Sequence, residues 1–149
     1  MTVIEGIVEH GDQRGRLLGF PTANITVSDE EVSDGVWVAL VRLGPGRWAA
    51  AAVSVGRRRT FYGETGPKLL EAHLLDHNED LYGQEIRVEL QVKLRPQQAF
   101  PDVQSLTEQL HHDVQQACDW AASHYPGLVS AASTETSATG PTSSNMSYA

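Results

Sequence analysis

Strict alternation of apolar and polar residues is clearest from Glu85 to Leu94. There Ile86, Val88, Leu90, Val92 and Leu94 interleave with Arg87, Glu89, Gln91 and Lys93. A period of two gives a strand one face on a core and one in water. Two further apolar runs, Gly35 to Arg42 and Trp48 to Val55, flank Leu43-Gly44-Pro45-Gly46-Arg47, a turn composition that predicts a hairpin. Leu69 to Asp76 is a fourth run, and residues 2 to 10 make a first strand. A helical period appears only late, where Val103, Leu106, Leu110, Val114, Ala117 and Ala121 recur every three or four positions. Ser105 and Glu108 have capping-box spacing, which predicts a helix start near residue 106, and Pro126-Gly127 ends it. Short strands joined by Gly-rich turns, with one helix, predict an all-β barrel or sandwich against which that helix packs.

The chain has 149 residues, the size of one ordinary domain with a real core. Composition shifts near residue 127. From Ser130 to Ala149 ten of twenty residues are Ser or Thr, too few apolar groups to offset the entropy of ordering. The expected organisation is a folded domain over 1–127 and a disordered tail over 128–149. The formal charge of −8 is the wrong sign for binding a phosphate backbone, so nucleic acid is not an expected partner. No apolar stretch reaches the ~18 residues of a membrane span, and the first residues lack a signal-peptide pattern. A cytoplasmic location without membrane contact is expected. A single cysteine excludes an internal disulfide framework.

Elimination narrows the chemistry. There is no P-loop, no Gly-x-Gly-x-x-Gly fingerprint with a βαβ pattern, no Gly-x-Ser-x-Gly elbow and no His-Glu-x-x-His. His111-His112-Asp113 lies on the helix, where adjacent residues diverge by about 100° and do not readily share a metal; a solvated helix face is expected there. Cys118 sits beside the apolar stripe and is expected to pack.

What remains is concentrated in Gly11 to Asn24, where three glycines and two arginines precede Pro21-Thr22-Ala23-Asn24. Gly lets a backbone curl its N–H groups around an anion, and Arg adds charge. Thr22 and Asn24 carry neutral oxygen donors on one face of an extended segment, ligands that suit magnesium when phosphate completes its shell. A Gly-rich β-turn with capping polar groups explains the same spacing. Glu71 and His73 point to one side of an otherwise apolar strand. A partly desolvated Glu facing a cavity can act as a general base; periodicity alone favours an exposed strand face. His77 to Gln84 is rich in turn formers and reads as a flap or as a plain connection.

The run Gly15-Arg16-x-Leu18-Gly19-Phe20-Pro21-Thr22-Ala23-Asn24 closely resembles the nucleotide loop and Pro-Thr-Ala-Asn motif of the riboflavin kinase (flavokinase) family, as found in the kinase module of bacterial FAD synthetases. Gly35-Val36-Trp37, Val53-Ser54-Val55-Gly56, Thr60-Phe61-Tyr62-Gly63, Glu71 to Asp76, Asp80 to Gln84, Lys93-Leu94-Arg95-Pro96, Phe100, Ser105-Leu106 and the helix containing Asp113 follow in the family's order. The resemblance covers roughly residues 3 to 122. It implies a six-stranded Greek-key β-barrel with a C-terminal α-helix. It implies phosphorylation of riboflavin by ATP with Mg2+, giving FMN and ADP. Gly11, Arg14, Gly15, Arg16, Gly19, Pro21, Thr22 and Asn24 would bind the nucleotide, Thr22 and Asn24 would ligate the metal, and Glu71 would be the catalytic base. The loop at 77–84 and the start of the helix would close over the flavin.

The resemblance also implies a monomer. This length has no room for the adenylyltransferase half of the bifunctional relatives, so FMN is the expected end product of a whole natural protein. Two departures stand out: Arg59 where many bacterial members carry Pro, and Ser54 where many carry Asn. A non-catalytic flavin- or nucleotide-binding module on the same barrel, or a kinase for another small alcohol, are the competing readings.

Overall fold

The computed structural model describes residues 1–10, 22–28, 30, 32–59, 65–75 and 79–128. Its elements are β1 (Thr2–Ile7), β2 (Thr22–Thr26), β3 (Gly35–Gly44), β4 (Arg47–Arg59), β5 (Thr65–Leu74), β6 (Glu85–Arg95) and α1 (Val103–His124). The strands form one antiparallel sheet in the order β1-β6-β3-β4-β5-β2. β3, β4 and β5 run as a meander and β6 returns beside β3, which is Greek-key connectivity. The sheet curls until its two edges meet, where Glu9 N–H donates to the Asn24 carbonyl at 2.7 Å. This is a six-stranded antiparallel curled sheet, a half-barrel with a C-terminal helix, matching the fold that the resemblance implies.

Alternation sorts the strands into two faces. Ile25, Val41, Val53, Leu70, Ala72 and Val88 fill the interior. On the outer face Val38, Ala50 and Ala52 meet Val114, Ala117 and Ala121 of α1. The alanines let helix and sheet approach closely, and Cys118 packs at the margin of this layer as expected. Among the described residues no helix is long and apolar enough to cross a membrane.

Gly6 lies where β1 comes close against β2. A Cβ on that residue would lie 2.6 Å from Cγ2 of Ile25, a β-branched side chain with little room to turn away. We expect Gly6→Ala to destabilise the fold by about 1–3 kcal/mol through overpacking, measured by urea unfolding. Unchanged stability would show that the β1–β2 contact is not tight.

Three expectations need correction. The helix begins at Val103, not near 106, because Asp102 in extended backbone accepts from Ser105 N–H at 2.7 Å and caps it. That backbone hydrogen bond holds the Asp102 carboxyl below the usual carboxylate range. In β6 the inward alternation lasts through Leu90 and then fails. Val92 is exposed, because β3 and β6 change register at two irregularities beside it. Asp113, placed by the helical pattern on a solvated face, is only 1% exposed. Its carboxylate accepts from Arg95 Nε at 2.9 Å and Nη2 at 2.7 Å, and from Gln109 Nε2 at 3.0 Å. A charge so deep in the protein requires such partners.

Candidate functional site

Strand register brings the polar residues of three strands together. Asn24 of β2 lies opposite Glu71 of β5, and Glu71 lies opposite Ser54 of β4. One step along, Thr22 lies opposite His73, and His73 opposite Ala52. Directly opposite residues share a face. The intervening Ala23, Leu70, Ala72, Val53 and Val55 belong to the interior. Thr22, Asn24, Glu71, His73 and Ser54 therefore form one polar patch on the outer face, the side on which α1 packs.

Covering that patch creates a cleft of about 420 Å³. Ser54, Glu71 and His73 line its sheet side, and Phe100, Val103, Leu106 and Leu110 line the other. One wall is polar and the other mixes these apolar side chains with Arg95, Gln97, Gln98 and Asp102, a lining suited to a small amphipathic molecule. The exposed-strand reading of Glu71 and His73 is thus overturned: Glu71 is half-buried and His73 is 2% exposed. Periodicity reports the sheet's two faces but not what later covers one of them.

Asn24 is 3% exposed, and among the described residues its Oδ1 has no hydrogen-bond donor. Leaving a buried acceptor unsatisfied costs about 1–3 kcal/mol. A neutral oxygen in that state, beside the half-buried Thr22 on the same face, is chemically suited to a hard cation. Among the described residues no cluster of three or more His, Cys, Asp or Glu side chains offers an alternative metal centre. The other expected nucleotide contacts, Gly11, Arg14, Gly15, Arg16, Gly19 and Pro21, lie outside the described residues.

Sequence reasoning missed the far wall. Arg95 lines the cleft at the end of β6 and, through Asp113, ties α1 to the sheet. Its guanidinium also lies 5.8 Å from the Phe100 ring centre. Gln97 donates to Ser54 Oγ and to the Val55 carbonyl. Arg95 and Phe100 fall within the family's ordered blocks, whereas no sequence signal points to Gln97. Over residues 79–84 the segment that reads as a flap or as a plain connection makes contacts with its neighbours. Gly83 N–H donates to the Val8 carbonyl, Tyr82 stacks on His10 at 3.6 Å, and Arg47 pairs with Glu79 at 2.8 Å. The first two contacts hold it to the residues that follow β1 and the third to the start of β4, and none of its described residues lines the cleft.

In sequence and fold the chain is similar to known proteins. A family model described as riboflavin kinase (flavokinase) matches residues 1–121. The bifunctional riboflavin kinase/FMN adenylyltransferase of Bacillus subtilis (strain 168) is 36% identical over 118 residues, covering 76% of this chain and 37% of its own. Among solved structures, a macrolide-efflux protein from Streptococcus pneumoniae superposes with a TM-score of 0.64 at 31% identity, over 83% of this chain and 38% of that one. A riboflavin kinase from Trypanosoma brucei superposes with a TM-score of 0.54 at 25% identity, over 85% of this chain and 82% of that one. The chain spans little more than a third of the length of the bifunctional relative.

Proposed function

The chain belongs to the riboflavin kinase family, and from that membership we propose that it transfers the γ-phosphate of ATP to the terminal ribityl hydroxyl of riboflavin, giving FMN and ADP. The observation that carries the reading is the placement of Glu71. It sits on the polar wall of the cleft, in register with Asn24 on one side and Ser54 on the other.

Phosphoryl transfer depends mainly on alignment and charge stabilisation, so a strong base is not needed. The Glu71 carboxylate accepts the proton of the terminal hydroxyl as its oxygen attacks the γ-phosphorus. The bond from that phosphorus to the bridging oxygen breaks, and ADP leaves with the electron pair. Thr22 Oγ and Asn24 Oδ1 are the residues that would hold magnesium. When bound, the ion supplies neutralising charge to the phosphate oxygens. The glycines of Gly11 to Gly19, with Arg14 and Arg16, are assigned to the nucleotide phosphates. Phe100, Val103, Leu106 and Leu110 offer the flat flavin ring an apolar surface.

The test is conversion of riboflavin by the purified protein with ATP and magnesium, followed by chromatography. The expected result is FMN and an equal amount of ADP, both abolished by a chelator. Flavin binding with no ADP release would replace the kinase reading with a binding module.

A further inference from the structure

Gln97 is an exposed lining residue of the cleft whose amide nitrogen is held by two hydrogen bonds. Its Nε2 donates to Ser54 Oγ at 2.9 Å and to the Val55 carbonyl at 2.8 Å. A carbonyl only accepts, so the NH2 group must face β4 and the amide oxygen must face away from it. Both amide N–H groups are engaged by these contacts. Among the described residues nothing donates to Gln97 Oε1. Gly56 helps to seat the side chain, since a Cβ there would lie 3.1 Å from Nε2 and 3.3 Å from Cδ. Gln97 therefore rests against β4 as a lining residue of the cleft.

Its position in the row gives it a task. Asn24, Glu71 and Ser54 lie side by side on β2, β5 and β4, with strands about 4.8 Å apart. Gln97, held on Ser54, lies on the side of Glu71 remote from Asn24. With phosphate chemistry at Asn24 and the reacting hydroxyl at Glu71, the next portion of an acceptor passes over Ser54 and Gln97. Beyond it stand the apolar side chains of Phe100, Val103 and Leu106. In riboflavin the portion between terminal hydroxyl and ring is a chain of secondary hydroxyls, each a hydrogen-bond donor.

We propose that Gln97 Oε1 accepts a hydrogen bond from a secondary hydroxyl of the ribityl chain, so that Gln97, tethered by Ser54, is a specificity-determining residue for polyhydroxylated acceptors. The proposal rests on the riboflavin reading of this cleft. Gln97 is exposed, so water takes the place of a missing hydroxyl, and the discrimination expected is the net worth of one hydrogen bond.

The test compares riboflavin with a flavin bearing a 5-hydroxypentyl chain at N10, which keeps the terminal hydroxyl and lacks the secondary ones. Binding is read from quenching of flavin fluorescence. Gln97→Met keeps the side-chain length and removes the amide. It is expected to weaken riboflavin binding about 3–10-fold while leaving the hydroxypentyl flavin within about twofold of wild type. Ser54→Ala, which removes one of two tethers, should give a smaller loss with the same dependence on acceptor. Equal weakening for both flavins would reduce Gln97 to a structural strut, and no weakening for either would also overturn the proposal. Selective binding without magnesium-dependent FMN formation would remove the kinase reading and leave Gln97's role standing. FMN formation with no acceptor selectivity at Gln97 would do the reverse, and no quenching by either flavin overturns both.

Discussion

Glu71→Gln is expected to lower the rate of FMN formation by about 10²–10⁴-fold, the range general-base catalysis contributes. The substitution keeps the shape of the side chain and removes its capacity to take a proton. Glu71 is half-buried on a strand paired along both sides, by β2 and β4, so an amide of the same size leaves the sheet intact. The loss should therefore fall on kcat, with the KM values for ATP and riboflavin changing little. Steady-state kinetics at saturating magnesium, with a thermal melt as the control for folding, make the comparison. A variant that keeps a tenth or more of the wild-type kcat would move the proton to another acceptor, and His73 on the same strand face would be the first to examine.

Asp113→Ala is expected to cost about 3 kcal/mol of stability, toward the lower end of the range for breaking a buried ion pair. The carboxylate is 2% exposed and the Arg95 guanidinium 15%, so removing the acid strands a cation with little water to replace its partner. Gln109 loses an acceptor in the same change. Urea unfolding measures the loss. Replacing both partners by apolar residues, Arg95→Met with Asp113→Leu, should recover a large part of it, because no charge is then left buried alone. Full stability in Asp113→Ala would mean that Arg95 reaches solvent or another acceptor without cost.

The two experiments separate what could be read in the chain from what could not. The interior of the barrel was written in alternation, most plainly in Ile86, Val88 and Leu90, and the hairpin in the Gly-Pro-Gly turn. Thr22 and Asn24 share a face because they are two residues apart, and the register with His73 and Glu71 follows the same parity. Asp113 was illegible for the opposite reason. A helical wheel assigns a carboxylate to water unless the reader knows which distant residue meets it, and Arg95 stands on another element, 18 positions away. The burial of His73 and Glu71 had the same origin, since the cover comes from residues 96–110. The capping-box spacing of Ser105 and Glu108 misplaces the helix start because the cap is set by extended backbone at Asp102, which spacing does not encode. Family blocks supplied the order of these parts, and register supplied their adjacency.

The pairing of β1 with β6, from Thr2 opposite Leu90 to Ile7 opposite Glu85, bears on how the chain is made. Of the six described strands β1 is synthesised first, yet its hydrogen-bonding partner β6 is the last of them. Until then the β3-β4-β5 meander can assemble only as an open sheet, with β3 lacking its neighbour on one side. Contacts of such sequence separation are slow to form, because a long loop must close before any of them is gained. The exposed edge of β3 in a nascent chain is thus the point at which translation speed and chaperone access bear on yield, and it disappears once residues 85–95 have been synthesised and docked.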